Sequence, residues 1–194
     1  MQELVERIKR DGVYVGGGII KVDAFLNHQL DAGLMGRIGR ELADRFADAG
    51  VVGVTKILTA ESSGIPPALC AAQVLNVPLI YARKKTPLTM SKQVYYAEAP
   101  SRTKGGMVPL MVSPDYLGAA DRVLIIDDFL ATGQTLLALV DIVRQSGAVL
   151  CGVGCVVEKV FEPGRAAVAA VFPHGPILSL AQINITEGEL VVSG

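Results

Sequence analysis

Val123-Leu124-Ile125-Ile126-Asp127-Asp128-Phe129-Leu130-Ala131-Thr132-Gly133-Gln134-Thr135 runs from apolar residues into two adjacent carboxylates, then into a turn of small and hydroxyl-bearing residues. The apolar part is the pattern of a strand buried on both faces. Neighbouring side chains on a strand point to opposite faces, so paired acids inside a buried strand would be costly. They are accommodated where the strand stops, which predicts a strand over 123–127. Behind them, Ala131 to Thr135 reads as a turn opening a helix over 135–145, with Gly147 as its stop. A helix N-terminus offers unsatisfied N–H groups and a favourable dipole, Gly133 allows close approach, and the threonines add donors. Asp127 and Asp128 can accept hydrogen bonds from sugar hydroxyls and can hold a metal ion directly or through water. Taken alone, the acids could also serve as a helix cap and a surface charge, the less favoured of the two readings. Their contiguity with the donor-rich turn favours a ligand bearing both a ribose and a phosphate. The turn is not a Walker loop, because no Gly-Lys-Ser/Thr follows.

Outward from this stretch, strands and helices alternate. Strands are predicted over 56–60, 78–82 and 149–157. Leu34, Ile38, Leu42 and Phe46 mark one face of a helix ending near Gly50, and Pro66 suits the first turn of a helix reaching Leu75. The N-terminus, Met1 to Arg10, reads as an amphipathic helix. Such an order implies an α/β protein with a central, mainly parallel sheet flanked by helices, in one domain over 1–194. Ligands bind such sheets beyond the carboxyl ends of the strands. Three of those ends carry polar residues: Asp127 and Asp128; Glu61, Ser62, Ser63 and Gly64; and Arg83, Lys84 and Lys85. The basic trio by itself is as readily a solvated cluster as an anion site. Residues 83–117 are expected to form a long mobile loop or arm with β character, and residues from Phe172 onward short strand-like pieces.

Lys and Arg total 18 against 19 Asp and Glu, so the net charge of −1 offers no general attraction for nucleic acid or anionic membranes. No apolar run approaches the roughly 20 residues that span a bilayer. Cys70, Cys151 and Cys155 are an odd number in apolar surroundings, read as buried thiols in a reducing cytoplasm rather than as a disulfide framework or a metal pair. His28 and His174 belong to no visible acid–base pair. Gly16-Gly17-Gly18 reads as a turn, since no helix clearly follows it.

The Val123–Thr135 stretch resembles the phosphoribosyl-pyrophosphate motif of the type I phosphoribosyltransferases: an apolar strand, two acids, a spacer and Thr-Gly-x-Thr. The likeness extends through Glu61-Ser62-Ser63-Gly64-Ile65, Tyr81-Ala82-Arg83-Lys84-Lys85 and Val157-Glu158-Lys159. At Ile20-Lys21-Val22-Asp23-Ala24-Phe25-Leu26-Asn27-His28-Gln29 it is similar to the xanthine-specific branch of that family. The resemblance implies the type I fold, with a small hood built from the N-terminal segment (residues 1–33, covering the base) and the C-terminal part. It implies transfer of the 5-phosphoribosyl group from phosphoribosyl pyrophosphate to xanthine, with Mg²⁺ carried mainly by the substrate rather than by protein ligands. By that resemblance Asp127 and Asp128 are catalytic and face the ribose. Ala131, Thr132, Gly133, Gln134 and Thr135 cradle the 5′-phosphate, while Glu61 to Gly64 and Arg83, Lys84 and Lys85 meet the pyrophosphate. Ile20, Asn27, Lys159 and Phe129 contact the base (Phe161 being the other aromatic considered), and residues 86–104 close over the substrates. A cytoplasmic homodimer is implied as well. Two other readings stay open: a regulator that senses phosphoribosyl pyrophosphate, and a salvage enzyme for adenine or for hypoxanthine and guanine.

Overall fold

The computed structural model describes residues 1–85, 93–100 and 105–194. The chain opens with α1 (Gln2–Asp11), whose Leu4, Val5 and Ile8 are buried, as its amphipathic spacing requires. A hairpin of β1 (Val13–Gly16) and β2 (Ile19–Lys21) follows. Its turn uses Gly16, Gly17 and Gly18 at φ of 94°, 59° and 74°, a left-handed run that residues with a Cβ rarely adopt. A π-helical turn over Asp23–Asn27 leads to α2 (Ala32–Asp48), capped where the Asp31 carboxylate accepts the Leu34 N–H at 3.0 Å. Then come β3 (Lys56–Ala60), α3 (Ile65–Leu75), β4 (Leu79–Ala82), β5 (Tyr95–Pro100), β6 (Met107–Val112), β7 (Arg122–Leu130) and α4 (Gln134–Ser146). The chain finishes through β8 (Val149–Lys159), α5 (Gly164–Val171), β9 (Ile177–Thr186) and β10 (Glu189–Ser193).

Six strands form the central sheet in the order β10-β9-β8-β7-β3-β4, all neighbours parallel except the antiparallel β10–β9 pair. Both faces are covered. Leu124 and Ile126 of β7 pack with Ile38, Leu42 and Phe46 of α2 and Ala68 and Ala71 of α3, joined by Leu4 and Ile8 of α1. Val123 and Ile125 pack on the other face with Leu136, Leu139 and Val143 of α4. That alternation is why the strand reads as a continuous apolar run.

Three expectations are corrected by this arrangement. The strand bearing the acids does not stop at Asp127 but continues to Leu130, because β8 runs beside it and pairs with Asp127, Phe129 and Leu130. The region after Phe172 holds a ten-residue strand, β9, preceded by a helix that no periodicity announced. Of the cysteines only Cys155 is buried; Cys70 and Cys151 are half-buried, and all are free thiols.

Within residues 83–117, β5 and β6 pair as an antiparallel ribbon. Arg83 and Met111 exchange backbone hydrogen bonds of 2.9 and 3.0 Å, which ties the ribbon to the chain leaving β4. Ala97, Ala99, Leu110 and Val112 of the ribbon join the α4-side core. The segment expected to close over the substrates falls largely on 86–92 and 101–104, outside the described residues. No helix among the described residues is long and apolar enough to cross a membrane.

Candidate active site

The carboxyl ends of β3, β4 and β7 converge on two adjoining clefts of about 260 and 170 Å³. The first is walled by Glu61 to Gly64, Lys84, Asp127 and Asp128, with Pro100 and Leu110 of the β5–β6 ribbon opposite. Phe129 and the run Ala131 to Leu136 wall the second, which shares Pro100, Asp127, Asp128 and Thr135 with the first. The three polar strand ends separated in sequence are therefore parts of one groove.

Both acids face this groove despite being neighbours on a strand, and the reason lies in the packing of β7. Strict alternation from Ile126 would put Leu130 on the α2–α3 side of the sheet. Instead Phe129 packs on that side and Leu130 on the α4 side, so the alternation slips by one residue across the acids. The Asp127 Oδ1 accepts the N–H of Asp128 at 3.0 Å. Burial, and after it the charge of Asp128, pushes the Asp127 carboxyl well above the ordinary carboxylate range; burial raises Asp128 as well. Lys84 favours the charged form of both.

The Glu61–Gly64 turn sits directly beside the acids. A Cβ on Gly64 would strike Thr59 Oγ1 and Asp127 Oδ1, so only glycine lets this backbone approach the carboxylate. Thr59 is wholly buried, and its hydroxyl has no hydrogen-bond partner among the described residues. The peptide bond between Glu61 and Ser62 is cis. The Glu61 carboxylate is engaged by the basic run: its Oε2 accepts the backbone N–H of Lys84 at 2.9 Å, and its Oε1 lies 3.7 Å from Arg83 Nε. Within the basic trio, only Lys84 lines the clefts. Arg83 lies over the Tyr81 ring at 5.4 Å and donates to the Tyr81 hydroxyl at 3.2 Å, and Lys85 is exposed.

The second cleft ends on the start of α4. Gly133 takes φ of 81°, and no side chain caps the helix, so its first N–H groups have no intrahelical or side-chain acceptor. The back of the turn is filled by the start of α5: Gly164 donates its N–H to Ala131 O at 2.9 Å. The unsatisfied amides thus face the cleft rather than other protein groups.

The residues expected at the base are less closely gathered. Phe129 lines the second cleft, and Lys159 Nζ lies 5.5 Å from its ring centroid. Lys159 is buried and donates to Gly18 O at 2.7 Å, which ties the tip of the β1–β2 hairpin to the end of β8. Phe161 lies under the same hairpin tip, where a Cβ on Gly18 would be 3.4 Å from its ring. Ile20 is buried among the α2-side core residues, and Asn27 is exposed at the end of the π-helical turn; neither lines the two clefts.

Several site residues carried no readable signal. Thr59 was visible only as one hydroxyl in an apolar strand, and Pro100 and Leu110 reach the groove through a ribbon whose pairing no local pattern specifies. Glu158 carries no local signal beyond its place in a family motif, although its carboxylate, 2% exposed, anchors a network. Arg165 Nε and Nη2 donate to its two oxygens at 2.6 Å each, and Ser179 Oγ donates at 2.7 Å.

Comparison with known proteins agrees with this geometry. Residues 29–163 match the phosphoribosyl transferase domain family. A xanthine phosphoribosyltransferase of Deinococcus deserti is 50% identical over 194 residues, covering 99% of this chain and 97% of that one. One from Geobacillus thermodenitrificans is 53% identical over 164 residues, covering 84% and 83%. Among solved structures, an adenine phosphoribosyltransferase of Trypanosoma brucei in complex with AMP, pyrophosphate and ribose-5-phosphate superposes with a TM-score of 0.75 at 21% identity, covering 92% of this chain and 79% of that one. Another from Rhodothermus marinus gives 0.73 at 24% identity, covering 94% and 99%. At those identities the structural likeness speaks for the fold alone.

Proposed function

This chain belongs to the phosphoribosyl transferase domain family, and from that membership we propose that it transfers the 5-phosphoribosyl group of phosphoribosyl pyrophosphate to xanthine. The products are xanthosine 5′-monophosphate and pyrophosphate, a step of purine salvage. The observation that carries this reading is the single groove joining the Asp127–Asp128 pair, the uncapped start of α4 and the Glu61–Gly64 turn. It offers, in order, a phosphate seat, a sugar-facing pair of acids and a backbone turn beside a lysine. The relatives about half identical to this chain are named for xanthine, which sets the choice of base.

The 5′-phosphate sits on the amides of Gly133 to Thr135, whose dipole and free N–H groups favour an anion. As the bond from the anomeric carbon to pyrophosphate lengthens, positive charge grows on the sugar and negative charge on the leaving group. Asp127 and Asp128 stabilise the former. Lys84 and the Ser62–Gly64 backbone stabilise the latter, each preorganised donor worth about 3 kcal/mol by analogy with oxyanion sites. A purine nitrogen then attacks the anomeric carbon from the opposite face. On the base side, Phe129 offers a stacking surface and Lys159 a donor to a carbonyl oxygen; Ile20 and Asn27 are assigned to the base by the family resemblance, although neither lines the two clefts. A lysine there disfavours adenine, whose exocyclic amine presents N–H donors where an oxopurine presents a carbonyl acceptor.

Magnesium fits the residues present as an ion brought with the substrate. No cluster of three or more His, Cys, Asp or Glu side chains occurs among the described residues, but the buried Asp127 and half-buried Asp128 carboxylates share one groove. Magnesium is commonly held by one or two carboxylates together with substrate phosphates. Asp127 and Asp128 would hold it here, directly or through water. When bound it neutralises charge on the leaving pyrophosphate. A homodimer and a cytoplasmic setting belong to the same reading, and sedimentation of the purified protein tests the first.

A spectrophotometric assay of xanthine, guanine, hypoxanthine and adenine with phosphoribosyl pyrophosphate and Mg²⁺ tests the proposal. Turnover greatest with xanthine is expected. A preference for adenine would overturn the assigned base, and inactivity with all four would overturn the transferase reading.

A further inference from the structure

The ion pair of buried Glu158 and half-exposed Arg165 lies outside both clefts, yet it sits beneath the turn assigned to the phosphate. Arg165 is in the first turn of α5 and grips both oxygens of Glu158 in a two-pronged bond, the strongest geometry open to this pair. The Glu158 carboxylate also accepts from Ser179 Oγ at 2.7 Å and Gln182 Nε2 at 3.2 Å, while Arg165 Nη1 donates to Ile177 O at 2.8 Å. The start of α5 is thereby stitched to β8 and β9.

Directly before Arg165 is Gly164, and its backbone forms the underside of the Ala131–Gly133 turn. Its N–H donates to Ala131 O at 2.9 Å. A Cβ on Gly133 would sit 3.0 Å from the Gly164 Cα and O, and a Cβ on Gly164 would strike Ala131 O and come within 2.8 Å of Gly133 N. Contact is this close in both directions, so a small movement of the α5 start must be answered by the turn. Gly133 and its neighbours could not then keep their N–H groups aimed into the cleft. Leu130, the residue before the turn, pairs with Glu158 itself across β7 and β8. The ion pair therefore reaches the turn by two short routes, one through the strand and one through Gly164.

We propose that Arg165, clamped to Glu158, is a positioning residue for the 5′-phosphate: it fixes the Gly164 backbone that shapes the Ala131–Thr135 turn. It touches no substrate. The proposal rests on the assignment of that turn to the 5′-phosphate, and it separates the two ends of phosphoribosyl pyrophosphate. The pyrophosphate side, at Glu61 to Gly64 and Lys84, is built on β3 and β4 and shares no contact with Arg165 or Gly164 in the network described above.

Ribose 5-phosphate and inorganic pyrophosphate, each with Mg²⁺, are the probes, titrated by calorimetry into the wild-type protein, Arg165→Lys and Glu158→Gln. Lysine keeps the charge but loses the fork; glutamine keeps the shape and removes the charge. Misaligning one bond to a charged group is worth about tenfold. Ribose 5-phosphate should bind about tenfold more weakly in each variant that folds, with pyrophosphate unchanged within about twofold. In steady state, KM for phosphoribosyl pyrophosphate should rise while KM for xanthine stays. Equal weakening of both probes would show general damage and overturn the proposal, as would unchanged binding of both. If Arg165→Lys fails to fold, Glu158→Gln and the milder Ser179→Ala carry the same comparison. Wild-type protein that ignores ribose 5-phosphate would instead sink the phosphate-turn assignment itself, leaving the two failures distinguishable.

Discussion

Asp127 holds a carboxyl against its own burial and against the charge of Asp128, and both effects raise its affinity for a proton. A carboxyl whose folded pKa lies above its unfolded value binds more protons when folded. Its contribution to stability is then fully present below the unfolded pKa near 4 and is lost as pH climbs through the folded value. Ligand-free protein should therefore lose thermal stability as pH rises from about 4 toward neutrality, and Asp127→Asn should flatten that slope. The same variant should raise the midpoint at pH 7.5 while lowering kcat about a hundredfold or more. A lowered midpoint at that pH with activity intact would reverse the assignment, making Asp127 a structural acid. Lys159 is tested differently, because its ammonium meets both the Phe129 ring and the Gly18 carbonyl. Lys159→Ala should raise KM for xanthine at least tenfold and leave the dissociation constant of phosphoribosyl pyrophosphate nearly unchanged, since removing a donor to a buried polar group is costly. Parallel losses for both substrates would show that the lysine only pins the hairpin.

At the scale of elements, the proposed phosphate seat is a helix start left uncapped by side chains and wedged against a second helix. Gly133 is the residue on which this depends, since φ of 81° and the Gly164 backbone 3.0 Å away both exclude a Cβ. Gly133→Ala should cost about 1–2 kcal/mol in backbone strain. Circular dichroism melts will read that loss, and binding of ribose 5-phosphate should fall along with it. Gly147→Ala supplies the control: it also sits at positive φ, 72°, but at the far end of α4. It should lose stability without losing ligand. Weakened binding in both variants would mean that helix stability alone, rather than the shape of the turn, governs the seat. The helix and its two glycine ends were legible in the sequence because punctuation by glycine is a local property. The change of packing face across the acids was not, because it depends on which side chains from other elements lie against the end of β7. Pairing with β8 extended the strand to Leu130 where the acids alone implied a stop.

The whole molecule brings together strand ends that lie far apart in the chain, and a ligand that spans them should stabilise the fold as a unit. Phosphoribosyl pyrophosphate with Mg²⁺ at a hundred times its dissociation constant should add about 2.7 kcal/mol. For a domain of this size that corresponds to a rise in midpoint of roughly 5–10 °C. Xanthine alone, meeting only the hood side, should raise it far less in differential scanning fluorimetry. A larger shift from the base than from the sugar diphosphate would contradict the groove described here. The sequence by itself determined the α/β class, the parallel sheet, the paired acids and the helix start behind them. Apolar runs, periodicity and glycine stops are written in contiguous residues, and each reports the burial and backbone of its own segment. Only the tertiary structure decided that both acids share one groove, that Lys84 alone of the basic trio lines it, and that Gly164, beside the Glu158–Arg165 pair, packs under the Ala131–Gly133 turn. Those facts depend on which strands become neighbours, and contacts between residues distant along the chain leave no mark in local pattern.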